Sequence, residues 1–319
     1  MKKLAIGVDL GGTNVRIALG KSDGQFLARL SEETEKKKGP EGVSKQIIKM
    51  IRSLLGEKFS IKDVQGIGIG STGPLNLDKG GLMKPTNIPY DFVPLVKPLE
   101  DEFRLPVYLM NDCVSAVVGE KYFGAGREHE NLVYITLSTG IGGGIYVNNH
   151  LLIGKDGNAH EIGHFTIDYE GRLQCNCGKR GHWEGYCSGE GIPNFVELLL
   201  KDKKPKEIEG SSLAESLKSG QKISAKTLYD AAKSGDQLAN ELVEKIGVLN
   251  AIGFACVVDA YDPSLITVGG TIALKNTELV LDPIKRHIEE HARNRVPEII
   301  LTSLGDDIGL YGALAKVFH

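Results

Sequence analysis

Close to its start the chain reads Leu4-Ala-Ile-Gly-Val-Asp9-Leu-Gly-Gly-Thr-Asn14-Val-Arg-Ile-Ala-Leu19. Two apolar runs flank the pair Gly11–Gly12, which predicts two strands joined by a tight glycine turn. Glycines let backbone N–H groups approach anionic oxygens closely, and the hydroxyl of Thr13 adds a donor beside them. The turn therefore suits phosphate, although such a turn taken alone is often only a hairpin.

A second turn of the same kind stands in the other half of the chain. Leu137-Ser-Thr-Gly-Ile-Gly-Gly-Gly144 follows an apolar run over Leu132–Leu137 that predicts a buried strand. Thr139 again supplies a hydroxyl, and Gly140 again lets the backbone come close to a phosphate. Two such turns, one in each half, are stronger evidence for binding of nucleotide phosphates than either is alone.

Strand and helix patterns alternate outward from these turns. Apolar residues at helical spacing predict helices over Glu41–Gly56, Asp236–Tyr261 and Leu310–Phe318. Short apolar runs predict further strands at Gln25–Leu30, Val64–Ile69, Val107–Met110, Gly144–Val147 and Leu265–Val268. This alternation predicts an α/β fold with its ligands at strand ends.

Two familiar nucleotide fingerprints fail on inspection. Gly20-Lys21-Ser22 resembles the end of a P-loop, but the first glycine of that motif would have to stand where Val15 is. Gly68-Ile-Gly-Ser-Thr-Gly73 matches the dinucleotide pattern, yet Pro74 follows it, and the next residues predict no helix to receive a pyrophosphate. We expect neither a P-loop nor a dinucleotide site.

The pair Asn111-Asp112 ends a predicted strand, where α/β folds place their ligands. A carboxylate there could accept the proton of an attacking hydroxyl, as general bases do in kinases. Asp112 could instead cap the helix that begins near Cys113. Both roles stay open from the sequence.

The densest group of metal-binding side chains lies between residues 161 and 184. It reads Glu161-Ile-Gly-His164 and then Cys175-Asn-Cys-Gly-Lys-Arg-Gly-His-Trp-Glu184. Two thiolates and two imidazoles, from His164, Cys175, Cys177 and His182, can close a structural tetrahedral zinc site. Reduced surface cysteines are the alternative. We predict Cys113, Cys187 and Cys256 to be buried, inert thiols.

Composition excludes several classes of protein. A formal net charge of −3 over 319 residues offers no basic footprint for nucleic acid. The apolar run Leu4–Val8 is too short for a signal peptide, and no stretch approaches the roughly 18 apolar residues of a membrane span. Five cysteines without an export signal fit a reducing compartment. We expect a cytoplasmic protein that binds neither membrane nor nucleic acid.

These motifs, in this order, resemble the ROK family of sugar kinases and repressors, and within it the kinases that act on glucose. The resemblance runs over Asp9–Asn14, Pro85–Asn87, Asn111–Asp112, Ser138–Gly144, Glu161–His164, the cluster from Cys175, and Val268–Gly270. It implies the actin-like ATPase (ribonuclease H-like) fold, a duplication of two α/β domains around a cleft. The implied domains are residues 1–115 with about 305–319, and residues 116–304. Family habit also implies a homodimer or higher homo-oligomer.

The resemblance assigns binding roles by position. It implies that Asp9, Gly11, Gly12, Thr13 and Asn14 form the first phosphate motif, with Asp9 near Mg²⁺. The second phosphate motif, Thr139 and Gly140, and the adenosine-binding turn, Gly269 and Gly270, complete the implied ATP site.

The sugar hydroxyls are implied to bind Gly73, Asn87, Asn111, Asp112, Glu161, His164 and Glu184, with Asp112 as the general base. Such a ring of amides and carboxylates is what a buried polyol needs. In the zinc stretch, His182 stands where the family has its third cysteine, and imidazole is an acceptable zinc ligand. His164 would then bind the metal with one ring nitrogen and face Glu161 or the sugar with the other.

The implied activity is ATP-dependent phosphorylation of a hexose, with glucose as the expected substrate. Fructose, mannose and N-acetylmannosamine are alternatives, because they differ from glucose only in single substituents. A repressor of the same family would carry a DNA-binding helix-turn-helix before a first strand that here begins by Leu4, so we expect none. A silent sugar sensor is disfavoured by Asp112, Glu161 and Glu184.

Overall fold

The computed structural model describes residues 4–85, 88–201, 203–218 and 220–319. The strands are β1 (Leu4–Leu10), β2 (Asn14–Lys21), β3 (Phe26–Glu33), β4 (Val64–Ser71), β5 (Leu75–Asn76), β6 (Gly81–Met83), β7 (Phe92–Pro94), β8 (Val107–Asn111), β9 (Leu132–Leu137), β10 (Ile141–Val147), β11 (His150–Leu151), β12 (Leu265–Gly269) and β13 (Glu298–Leu301). The α-helices are α1 (Gly42–Leu55), α2 (Val96–Phe103), α3 (Asp112–Phe123), α4 (Glu184–Cys187), α5 (Ile192–Leu200), α6 (Pro205–Ile208), α7 (Ala214–Lys218), α8 (Ala225–Lys233), α9 (Gln237–Tyr261), α10 (Thr271–Lys275), α11 (Thr277–His287) and α12 (Ile308–Phe318). In the part of the chain so described, no helix combines the length and apolar character that crossing a bilayer requires.

The chain forms two compact units. The first unit comprises Met1–Glu130, Gly144–His160 and Thr302–His319, and the second comprises Asn131–Gly143 and Glu161–Leu301. The predicted functional domains, residues 1–115 with about 305–319 and residues 116–304, stay a prediction.

The main sheet of the first unit has the strand order β3-β2-β1-β4-β8. The predicted hairpin is confirmed, because β1 pairs with β2 in antiparallel fashion. Strands β4 and β8 continue the sheet parallel to β1, with Asp9 opposite Gly70 and Ser71 opposite Asn111. The carboxyl ends of β1 and β8 therefore lie at one edge of the sheet, which brings the first glycine turn and the Asn111–Asp112 pair to that edge.

Helix α12 packs directly on this sheet. A side chain at Gly68 of β4 would overlap the backbone carbonyl of Ala313 in α12. The structure confirms that Gly68–Gly73 is not a dinucleotide-binding motif. Strand β4 is followed by the short strands β5 and β6, and no helix follows it to bind a pyrophosphate. The first glycines of that motif allow close packing of a helix on a strand, and they do not form a phosphate loop.

The second five-stranded sheet has the order β11-β10-β9-β12-β13. Strands β9, β12 and β13 are parallel, with Gly269 opposite Thr136. The end of β12 thus lies beside the end of β9. The predicted adenosine turn and the second predicted phosphate turn leave the sheet from these neighbouring strand ends.

The long helix predicted over Asp236–Tyr261 is confirmed as α9, with Asp236 as its N-cap. Its two glycines are sites of close packing. A side chain at Gly253 would overlap the ring of Trp183, and one at Gly247 would overlap Pro283. Trp183 is fully buried and donates its indole N–H to Asn250 Oδ1 at 2.9 Å. This contact fixes the segment before α4, where the predicted metal ligands end, on the core helix of the second unit.

Candidate active site

Asp9 of β1 is held by an arginine on the next strand. The hairpin register places Arg16 opposite Asp9, and Arg16 Nε donates to Asp9 Oδ2 at 3.1 Å. Arg16 Nη2 also donates to Asp9 Oδ2 and to the carbonyl of Asp306 at 2.7 Å. Burial raises the pKa of Asp9 and Arg16 opposes that effect, while the negative charge of Asp307 adds to the rise. A cation near Asp9 would favour its charged form.

Hydrogen bonds to its backbone carbonyls hold the first glycine turn in place. Gly11 N–H donates to the carbonyl of Asn14 at 2.9 Å. Thr34 uses its hydroxyl to donate to the carbonyl of Gly11 at 2.8 Å, and its N–H to donate to the carbonyl of Thr13 at 2.8 Å. These bonds fix the conformation of the turn that contains Gly12 while Thr13 stays exposed.

Helix α3 begins at the Asn111–Asp112 pair, and its cap is Asn111. Asn111 Oδ1 accepts from the N–H groups of Cys113 at 2.8 Å and Val114 at 3.4 Å. The alternative in which Asp112 caps the helix is therefore wrong, since Asp112 is the first residue inside the helix. Its Oδ1 accepts from the N–H of Cys113 at 2.9 Å. The neighbouring asparagine leaves this carboxylate available for another task.

Burial raises the pKa of Asp112 above the ordinary aspartate range, and the negative charge of Asp9 adds to the rise. The N–H of Cys113 and the imidazole of His160 act in the opposite direction. A carboxylate with a raised pKa is a better proton acceptor than an ordinary one. A partly buried carboxylate with a raised pKa therefore lies at the N-terminus of α3.

The same shift predicts a gain in stability for Asp112→Asn. The folded state binds this proton more tightly than the unfolded chain, so ionisation costs stability as pH rises above the ordinary value of 3.8 and through the raised folded value. At pH 7 the substitution removes that cost. We expect calorimetry to show a midpoint of thermal unfolding about 1–4 °C higher than in the wild type. The gain should disappear near pH 3, and a lower midpoint at pH 7 would contradict the assignment.

Two more predicted sugar residues belong to this unit. A side chain built at Gly73 would lie 3.9 Å from Asn111 Nδ2, so the backbone of Gly73 lies beside the asparagine amide. Asn87 lies outside the described residues. The structure therefore brings Gly73, Asn111 and Asp112 together.

In the second unit, the turn at Thr139–Gly140 is braced by Glu184. The N–H of Ile141 donates to Glu184 Oε2 at 3.0 Å. A side chain at Gly140 would lie 2.6 Å from that oxygen, so only glycine leaves room for the carboxylate. The carbonyl of Thr139 accepts from the N–H of Glu190 at 3.2 Å. The predicted phosphate turn and the predicted sugar residue Glu184 are thus in direct contact.

A cavity of about 440 Å³ opens beside this turn. Its lining joins Ser138 and Thr139 to residues of helices α8 and α10, among them Tyr229 and Ile272. The size is within the range of cofactor and small-molecule pockets. Gly270, between β12 and α10, has φ +87°, and a side chain there would lie 2.5 Å from the carbonyl of Leu137. The predicted adenosine turn therefore leads directly into the helix that lines the cavity.

The four predicted metal ligands converge in this unit. The ligand atoms of His164, Cys175, Cys177 and His182 all lie within 4.8 Å of one another. Cys175 Sγ lies 3.8 Å from His164 Nδ1, and Cys177 Sγ lies 3.2 Å from His182 Nδ1. These separations are close to the edges, about 3.3–3.8 Å, of a tetrahedron with zinc bond lengths. Burial lowers the pKa of His182, which favours the neutral imidazole that binds a metal.

Two carboxylates surround this cluster. Glu161 Oε2 lies 3.4 Å from His164 Nε2, the ring nitrogen that faces away from Cys175. The thiol of Cys175 donates to Glu184 Oε1 at 3.4 Å. A carboxylate on the far nitrogen of a metal-binding histidine is a common outer-shell arrangement. Both predicted sugar carboxylates of this unit are therefore oriented by the predicted metal ligands.

Some residues near these sites were not predicted from the sequence. Arg16 is one of them. Its position could have been derived from the hairpin, because Leu10 pairs with Val15 and the next pair outward is Asp9 with Arg16. Gly309 of α12 was also missed, and a side chain there would lie 3.0 Å from the Asp9 oxygens. The third is His160, which is 3% exposed. Of the three cysteines predicted to be buried, Cys113 and Cys187 are, but Cys256 is only half-buried.

The ROK family profile matches residues 5–318. This chain belongs to the ROK family. It is 35% identical over 314 residues to a glucokinase of Pyrobaculum calidifontis, covering 98% of this chain and 94% of the relative. A glucokinase of Halalkalibacterium halodurans is 34% identical over 311 residues, with coverage of 96% and 92%.

A solved ROK structure shows the same likeness. The ROK family glucokinase from Streptomyces griseus, in complex with glucose and AMPPNP, is 30% identical and superposes with a TM-score of 0.77 over 98% of both chains. The predicted fold class, the α/β fold of the actin-like ATPases, is confirmed by this match and by the mixed sheets described above. The ROK resemblance expected from the motifs is confirmed as well.

Proposed function

We propose that this ROK protein is an ATP-dependent glucokinase that transfers the γ-phosphoryl group of ATP to the 6-hydroxyl of glucose, with Asp112 as general base. The main support is that the chain is 30–35% identical to glucokinases over nearly its whole length. The structure of one of these glucokinases was solved in complex with glucose and an ATP analogue. The position of Asp112 at a strand end, beside the predicted sugar residues Asn111 and Gly73, agrees with that activity.

The chemistry proposed for Asp112 follows from its environment. The sugar hydroxyl attacks the γ-phosphorus, the bond from that phosphorus to the bridging oxygen of ADP breaks, and Asp112 takes the hydroxyl proton. Asn111 supplies the helix cap, so capping does not occupy both oxygens of Asp112. Burial raises the pKa of Asp112, and a more basic carboxylate is a better proton acceptor.

The phosphate-binding roles are proposed for the two glycine turns. Asp9, Gly11, Gly12, Thr13 and Asn14 would serve in the first unit, and Thr139 and Gly140 in the second. Asp9 fits a role near Mg²⁺, because Arg16 bonds only its Oδ2 and the carboxylate is largely buried. Magnesium there would neutralise charge on the phosphate oxygens. The cavity of about 440 Å³ beside Gly270 is the proposed place of the adenosine.

The cluster His164, Cys175, Cys177 and His182 is proposed to bind one structural Zn²⁺. Four ligands within 4.8 Å fill a tetrahedral site, so no open position is left for catalysis. A metal would fix the ring of His164, which contacts Glu161, and the segment at His182, two residues before Glu184. Glu161, His164 and Glu184 would then meet sugar hydroxyls from a rigid loop, which limits the entropy lost on binding.

Glucose is proposed over fructose, mannose and N-acetylmannosamine because the relatives at 34–35% identity are named as glucokinases. ADP release with Mg-ATP, measured against a panel of hexoses and N-acetylhexosamines, tests this choice. We expect glucose to give the highest kcat/KM and the sugar-free rate to be low. A higher value for another hexose would reassign the substrate, and no response to any sugar would favour a silent sensor.

A cytoplasmic location is part of the same proposal. None of the five cysteines, all of which lie in the described ranges, is joined in a disulfide, which fits a reducing compartment. A homodimer or higher oligomer stays a prediction from the family.

A further inference from the structure

One buried histidine is not used by the proposed mechanism. His160 is the last residue of the segment Gly144–His160 in the first unit, and it is only 3% exposed. Its Nε2 is buried without a hydrogen-bond partner among the residues that the structure describes. A buried polar atom left unpaired destabilises the folded protein, so such an atom in a functional region points to a missing ligand.

The loop that carries this ring is held in place. Ala159 N–H donates to the carbonyl of Ile153 at 3.0 Å, which closes the loop immediately before the histidine. Gly154, at the start of the loop, has φ +80°, and a side chain there would lie 3.0 Å from Ala159. The unpaired nitrogen is therefore presented by a closed backbone and not by a freely mobile segment.

The ring also lies in the electrostatic neighbourhood of the proposed base. His160 and Asp112 belong to the same unit, and the imidazole weakly opposes the rise that burial causes in the pKa of Asp112. His160 is also the residue immediately before Glu161, which is itself proposed to bind the sugar.

We infer that His160 Nε2 forms a hydrogen bond with a hydroxyl of the bound sugar, close to the hydroxyl that Asp112 deprotonates. This inference rests on the proposed function. An imidazole nitrogen can either donate to or accept from a hydroxyl, depending on its tautomer, so it fits a polyol. The buried Nε2 atom would then have a hydrogen-bond partner only when sugar is bound. His160 would therefore favour sugars that have a hydroxyl at that position.

The proposal predicts different behaviour for substitutions of nearly equal size. Glutamine places its terminal amide where Nε2 stands, whereas asparagine reaches only as far as Nδ1 and leucine offers no polar atom. In calorimetric titrations of glucose without nucleotide, His160→Leu and His160→Asn should raise Kd by about 3- to 10-fold. His160→Gln should stay within about twofold of the wild type.

A series of monodeoxyglucoses provides the decisive comparison. For the wild type, removing the hydroxyl that meets His160 should weaken binding by about 3- to 10-fold, and for His160→Leu the same removal should cost almost nothing. The thermal unfolding of sugar-free His160→Leu should be no lower than that of the wild type, because the substitution removes an unpaired buried polar atom. A residue that serves only packing would not produce this pattern.

Each outcome decides between the two claims. If the wild type binds glucose and no deoxy position shows coupling to His160→Leu, or if glutamine and asparagine at this position behave alike, the inference about His160 is overturned. If the wild type neither binds any sugar nor releases ADP with one, the proposed function itself fails, and the role of His160 fails with it.

Discussion

Asp112→Asn is expected to lower kcat for glucose phosphorylation by about 10²–10⁴-fold while changing the Kd for glucose by less than about threefold. Asparagine keeps the size of aspartate and one acceptor oxygen, but it replaces the other oxygen by an NH2 donor and cannot act as a base. Helix α3 should still form, because its cap is Asn111 and not the substituted residue. Coupled-assay kinetics and calorimetric titration of glucose give the two quantities.

The matched control is Asp101→Asn. Asp101 is an exposed residue of α2 whose carboxylate pairs with Lys97 at 2.5 Å, and exposed pairs of this kind contribute little to stability. We expect wild-type kinetics from it. If Asp112→Asn retained near-normal turnover, Asp112 would lose its role as base; if it lost both turnover and glucose binding, its role would be in binding the sugar.

Loss of the proposed metal ligand Cys177 is expected to have the second large effect. Purified wild-type protein should contain about one zinc ion per chain by elemental analysis, and Cys177→Ser should contain far less, because serine is a poor zinc ligand. The kcat/KM for glucose should fall by about 10–100-fold, as is common when the surroundings of a metal site are disturbed. The midpoint of thermal unfolding should fall as well.

The reason for the kinetic effect is the contact between this cluster and two carboxylates. His164 lies against Glu161 and Cys175 against Glu184, while Glu184 also accepts from the N–H of Ile141 after the second glycine turn. Loss of the metal would therefore disorder the carboxylates proposed to bind the sugar and, through Glu184, the turn proposed to bind the phosphates of ATP.

Cys256→Ser is the control for the zinc experiment. Cys256 is a half-buried thiol in α9 and is not part of the ligand group. It should retain full zinc content and activity. Cys177→Ser with a full complement of zinc would exclude the proposed ligand set, whereas zinc loss without any change in kcat/KM would separate the metal from sugar binding.

The sequence predicted those features that depend on local pattern. The glycine pair between two apolar runs predicted the β1–β2 hairpin, and helical spacing with Asp236 at its start predicted α9. The four proposed metal ligands could be grouped because they lie close along the chain and have the right chemistry. In each case the relevant contact is short in sequence or follows from periodicity.

Features set by tertiary packing could not be predicted in the same way. Whether Asn111 or Asp112 caps α3 depends on where the helix begins within one residue, and both are good caps. The unpaired nitrogen of His160 is visible only once the surrounding residues bury it. Likewise Gly309 is an unremarkable helix residue until α12 is seen to pack against Asp9.

The most direct test of the central claim is to follow phosphorus by ³¹P NMR in a mixture of the purified protein, Mg-ATP and glucose. A glucokinase converts the γ-phosphate signal of ATP into an equal amount of glucose 6-phosphate, with matching ADP, and without glucose it leaves ATP essentially intact. Unchanged ATP in the presence of glucose, or release of inorganic phosphate alone, would contradict the proposed phosphoryl transfer.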